Sequence, residues 1–123
     1  MRNLAVLSVY AARGLAILWV GFWIWFGFAS GLAEGLTPRG VLVHTAVPGL
    51  FFLLLLAVAW RWEAVGGALL VLIGLLMAVA YPILFRRLPA LMIILTDLTL
   101  ALPPLVAGVL FLLHWWWGKL RPA

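Results

Sequence analysis

Charge is what this chain has least of. Of its 123 residues, 8 are Lys or Arg and 3 are Asp or Glu, 9% together, against roughly 25% in an ordinary soluble domain. So few ionised groups cannot cover a water-facing globule, and with 68% of the residues hydrophobic the outer surface must meet lipid. Cysteine is absent, which excludes disulfides, thiolate metal sites and cysteine nucleophiles. GxSxG, HExxH and a phosphate-cradling glycine loop are missing as well. Ser8 and Ser30 are expected to have no His and Asp at a matching depth, so the chain reads as non-enzymatic, with no cofactor and no metal. The net charge of +5 does not imply nucleic acid, because a binding patch needs a polar surface that this composition does not supply.

What is present is hydrophobic length. Four stretches each approach the ~20 residues that cross a bilayer core, and they leave no room for a soluble domain. The first runs from about residue 14 to 33, with 3–13 extending it or lying along the interface. Arg2 before an apolar run and the FAS of residues 28–30 imitate a secretory signal, but the run is too long for a signal core and reads as a retained helix. EGLTPRG, residues 34–40, makes a loop of Gly, Pro and charge. The second span covers 41–60, a three-residue turn of Arg61, Trp62 and Glu63 follows, and the third covers 64–85. Arg86, Arg87, Leu88 and Pro89 form the next loop, and the fourth span covers 90–117 before a short basic tail. The fold class is therefore an all-α membrane protein, a four-transmembrane-helix bundle of two antiparallel hairpins in a single domain, 1–123.

An even number of spans puts both termini on one side. That side carries Arg2, Arg13, Arg61, Lys119 and Arg121, and the other carries Arg39, Arg86 and Arg87. Positive residues collect in the cytoplasm, so the termini are expected there, in a prokaryotic plasma membrane. Trp60, Trp62 and Trp115–Trp117 mark the same interface.

Between transmembrane helices contact is favoured where small residues let backbones approach. Gly27, Gly31 and Gly35 recur every four residues in the first span. Gly67, Gly74 and Ala78 share a face of the third, ahead of Tyr81. In the fourth, Asp97, Ala101, Pro104, Gly108 and Trp115 fall on one stripe at 3.6 residues per turn. His44 lines up with Pro48, Phe51 and Leu55 in the second.

Asp97 thus points into protein. Counting back from Trp115 places it shallowly, on the side away from the termini, at the level of Glu34, His44 and Tyr81 with Arg86 and Arg87 above. These six residues form a candidate polar cluster or ion or ligand site. Ionisable groups inside spans mark ion or proton paths; alternatively Asp97 pairs with Arg86 or Arg87 and ties two helices together. Glu34, at a helix C-terminus, wants Arg39 or another cation. His44 and His114 stand too far apart to share one haem or zinc, so His44 reads as a hydrogen-bonder and His114 as an interfacial residue. Prolines add freed carbonyls: Pro48 releases that of His44, Pro82 of Ala78, Pro103 of Thr99 and Pro104 of Leu100. Carriers bind ions on such carbonyls; elsewhere Thr99 or a neighbouring helix satisfies them.

At AWRWEAVGG, residues 59–67, the chain resembles small prokaryotic four-span membrane proteins of unknown function, through Arg61, Glu63, Gly66 and Gly67. The resemblance implies a four-helix membrane fold and no activity. The expected role is a non-enzymatic accessory or scaffold subunit, self-associating or held in a larger membrane complex with other membrane subunits. The alternative is a small oligomeric transporter or channel acting through Asp97, Glu34 and His44. Its partners are the lipid bilayer and protein, not nucleic acid.

Overall fold

Local chemistry sets where each helix starts and stops. A computed structural model describes residues 2–120, the Arg2 side chain apart, as four helices: α1 Arg2–Ala33, α2 Pro38–Arg61, α3 Glu63–Leu84 and α4 Ala90–Leu120. Residues 3–13 continue α1 without a break. Its end is a Schellman motif: Gly35 takes a left-handed φ of 71°, with its N–H on Leu32 O at 3.1 Å and that of Leu36 on Gly31 O at 3.2 Å. Gly35 therefore does not continue the packing face of Gly27 and Gly31. A Cβ there would meet nothing within 4 Å, and what the position requires is the positive φ. Thr37 then caps α2, its hydroxyl accepting from the Gly40 N–H at 3.1 Å, with Pro38 in the first turn.

The junction of α2 and α3 is tighter than a three-residue turn. Arg61 ends one helix, Glu63 begins the next, and Trp62 alone lies between. Its N–H donates to Val58 O at 2.7 Å, and its carbonyl accepts from Gly66 N at 2.8 Å. Gly66 makes so abrupt a reversal possible, since a Cβ there would stand 2.0 Å from Ala59 Cα.

Each helix packs on its sequence neighbour, and α4 closes the order against α1, an arrangement compatible with a four-helix bundle. The closest seam is α3 on α4. A Cβ on Gly108 would sit 2.7 Å from Gly67 O, one on Gly67 2.9 Å from Gly108 O, and one on Gly74 2.6 Å from the Leu105 side chain. Ala101 and Pro104 are buried on the same stripe. Between α1 and α2 the approach is looser, with Gly27 facing the backbone of His44 and Thr45 at 3.3 Å, and Gly31 facing Val41 and the His44 ring at 3.4–3.6 Å. The core between the helices mixes Ala12, Ala16 and Ala107 with Leu70 and Phe111, and Trp19 stacks on Phe52 at 4.3 Å between ring centroids. Phe52, not Phe51, follows His44 and Pro48 inward; Phe51 is exposed.

Large apolar side chains cover the outside, among them Leu18, Leu84 and Leu91, far more than a soluble monomer exposes. All four helices are long and apolar enough to cross a membrane by length and composition. At the end near Trp62, cations rest on aromatic rings: Arg13 on Trp60 at 4.4 Å, Lys119 on Trp115 at 4.2 Å and Arg61 on Trp62 at 5.8 Å. The Arg2 side chain and Arg121, which add to the charge expected at this end, lie outside the described residues.

Candidate functional site

The polar residues of the helices divide between two seams. His44 belongs to the α1–α2 seam. Its Nε2 lies 3.0 Å from Ser30 Oγ, and the same hydroxyl lies 3.3 Å from Gly27 O. When Ser30 donates to Gly27, the His44 N–H donates to Ser30, so the serine's choice of acceptor sets the imidazole tautomer. Ser30 thus has a histidine at its own depth. No carboxylate touches the pair among the described residues. The helix ends explain the match: Ser30 precedes the end of α1 by about one turn, and the tight loop of residues 34–37 brings the second turn of α2 back beside it.

Asp97 belongs to the α3–α4 seam. It faces a hollow of about 230 Å³ lined by Ala78 of α3 and by Ile94, Ala101 and Leu105 of α4. Its Oδ1 is buried there without a hydrogen-bond partner. Ala78 carries the carbonyl that Pro82 releases from the helix ladder. Tyr81 lies tilted against Phe85, 4.7 Å between ring centroids, while Arg86 and Arg87 are exposed in the loop. Among the described residues no ion pair joins Asp97 to either arginine or Glu34 to Arg39, and Glu34 is exposed. Nor do three or more His, Asp or Glu gather there as a metal site would require.

Two features escaped the reading from sequence. Trp19 and Trp23, one turn apart on α1, reach the carbonyls that the double proline of α4 releases. Trp19 Nε1 donates to Leu100 O at 3.1 Å, and Trp23 Nε1 donates to Thr99 O at 3.3 Å. The Thr99 hydroxyl turns instead to Leu95 O and Thr96 O within its own helix. A neighbouring helix thus satisfies both groups, which an apolar surround would otherwise leave at a cost of several kcal/mol each. The signal was the matching period: two tryptophans four apart against two adjacent freed carbonyls. The second feature is a contact from His114 Nδ1 of α4 to the Glu63 carboxylate at the head of α3, both partly buried. His114 is therefore more than an interfacial residue. Glu63 suits a helix N-terminus, and His114 ties that end to α4.

No curated protein and no solved structure matches the chain. One family model does, and it covers residues 1–123. With the whole length matched, the chain belongs to the family DUF7670, a domain of unknown function.

Proposed function

We propose that this is a multi-pass protein of a prokaryotic plasma membrane, inserted as two antiparallel hairpins with both termini in the cytoplasm, and that it serves as a non-enzymatic accessory or scaffold subunit. The observation that carries the role is the distribution of polar groups. Ser30 with His44, Glu63 with His114, and the two Trp-to-carbonyl bonds are each made within the chain, in different seams. They hold helices together, and although Trp23, Ser30 and His44 border one cleft, Glu63 and His114 are not part of its lining. The surface left over is almost wholly apolar, suited to lipid and to other membrane helices, a second copy of this chain included. Contacts such as Gly67 with Gly108, and Gly74 with Ala101, where position rises along α3 as it falls along α4, support the hairpin arrangement. The charge count at the two ends supports the orientation. Extraction in a mild detergent followed by native mass spectrometry tests the role: a stable partner or a defined homo-oligomer is expected, and a lone monomer at every detergent concentration overturns it.

A second reading, a small oligomeric transporter or channel, is favoured by one observation, the unpartnered Oδ1 of Asp97 beside the carbonyl-bearing Ala78. Its test is flux in liposomes. Transport would be lost in Asp97→Asn with the fold intact, and wild-type protein passive to protons and monovalent cations removes this reading.

A further inference from the structure

Two hollows meet at His44. One is an apolar cleft of about 500 Å³ between α1 and α2, reached by Leu100 of α4 and lined by Trp23, Phe26, Val47, Pro48 and Phe52, with Ser30 and His44 at one end. The other is an open hollow of about 490 Å³ at the α1–α2 loop, lined by Thr37, Arg39, Gly40, Val43 and His44. Val43 and His44 line both, so the two make one groove with a cationic mouth and an apolar body. Arg39 is exposed at that mouth and has no ion-pair partner among the described residues. No acidic residue lines either hollow, and Glu34 in the same loop is exposed outside both.

We propose that this groove binds one membrane lipid with an anionic phosphate head group, the head at Arg39 and His44 and an acyl chain along Trp23, Phe26 and Phe52. The assignment rests on the membrane-spanning reading above. Charge complementarity chooses the head: a guanidinium with no carboxylate nearby attracts a phosphate, and in the tautomer in which Ser30 donates to His44 Nε2 the Nδ1–H of His44 supplies a second donor. Depth chooses the tail, because the cleft runs from His44 to Phe52, about two helical turns, away from the loop. The volume lies within the range of sites that enclose lipophilic ligands.

The experiment titrates the purified full chain, in micelles, with phosphatidylglycerol or phosphatidylcholine of identical acyl chains, and counts retained lipids by native mass spectrometry. One phosphatidylglycerol per chain is expected to persist where phosphatidylcholine is lost. A phosphatidylglycerol with a photoreactive acyl chain is expected to label Trp23, Phe26 or Val47. Arg39→Gln should weaken retention about fivefold, the usual contribution of one basic residue near an anionic head group. Val47→Trp, at an exposed rim position, should block the cleft, while Arg86→Gln, which removes a cation from the other loop, should change nothing. Equal retention of the two lipids, equal losses in Arg39→Gln and Arg86→Gln, or labelling confined to the outer faces of α3 and α4 would each overturn the site. Protein that washes off membranes in alkaline carbonate would instead overturn the membrane-spanning reading itself.

Discussion

The α3–α4 and α1–α2 seams use glycine differently. Along α3–α4 the glycines are opposed, Gly67 to Gly108, and the backbones come so close that no Cβ fits. Along α1–α2 no glycine opposes another: Gly27 and Gly31 of α1 face the α2 backbone at 3.3–3.5 Å, Gly49 of α2 faces the Ile24 side chain, from which a Cβ would stand 2.9 Å, and a cleft opens beside Gly27. The first seam is a weld, and the second leaves a cleft of about 500 Å³ beside it. Glycines that face each other bring backbones together; glycines that face larger residues leave space that the shape of those residues decides.

The sharpest way to break this comparison is to add one methyl group to each seam. Gly108→Ala, in the α3–α4 seam, places a Cβ 2.7 Å from Gly67 O, and Gly66→Ala, at the α2–α3 junction outside both seams, places one 2.0 Å from Ala59 Cα, which rigid helices cannot yield. Each should destabilise by about 3 kcal/mol or more, the upper end of overpacking. Gly27→Ala, at 3.3 Å, should change stability by no more than about 1 kcal/mol. Reversible unfolding in mixed micelles measures all three. Equal effects at Gly27 and Gly108 would show that the seams do not differ.

Next in size is the bonding between α1 and α4. Trp19→Phe keeps most of the stack on Phe52 but removes the donor to Leu100 O, and Trp23→Phe removes the donor to Thr99 O. Interhelical hydrogen bonds in membranes contribute about 0.6–1.7 kcal/mol, so the double variant should lose about 1–3 kcal/mol. Replacing Pro103 and Pro104 with Ala in that background restores the helix ladder and should recover much of the loss. A double variant as stable as wild type would mean that the freed carbonyls find other donors.

Much of this architecture is legible in the sequence, and the exceptions have physical causes. Hydrophobic length and Gly/Pro punctuation separate the four helices, because a long apolar run leaves the backbone no alternative to the helix. Helical periodicity puts Ala101, Pro104 and Gly108 on one buried stripe, where they lie. Periodicity within one helix says nothing about which helix stands opposite, however. It aligned Asp97 with His44 by depth, yet they face different seams. Nor does it show that the loop of residues 34–37 brings His44 to Ser30. Gly35 carried the right four-residue spacing but sits past the helix end, where the backbone needs a positive φ. Trp19 and Trp23 went unread because an indole mid-span looks apolar until its N–H has a carbonyl to meet.

The smallest expected effect is at Asp97, and it bears on the tight seam. Asn has nearly the same shape, so Asp97→Asn leaves the packing of Ala78, Ala101 and Leu105 undisturbed while removing a carboxylate whose Oδ1 has no partner. Replacing an unsatisfied buried group with an uncharged one of the same shape should leave stability within about 1 kcal/mol of wild type, on the side of a gain. A loss above about 2 kcal/mol would mean that Asp97 is held by a cation, and Arg86 and Arg87 are the cations in the adjoining loop. Asp97→Asn combined with Arg86→Gln then decides the matter. Additive effects leave the seam a dry weld with one idle carboxylate, whereas coupling makes the pair a strut between α4 and the loop.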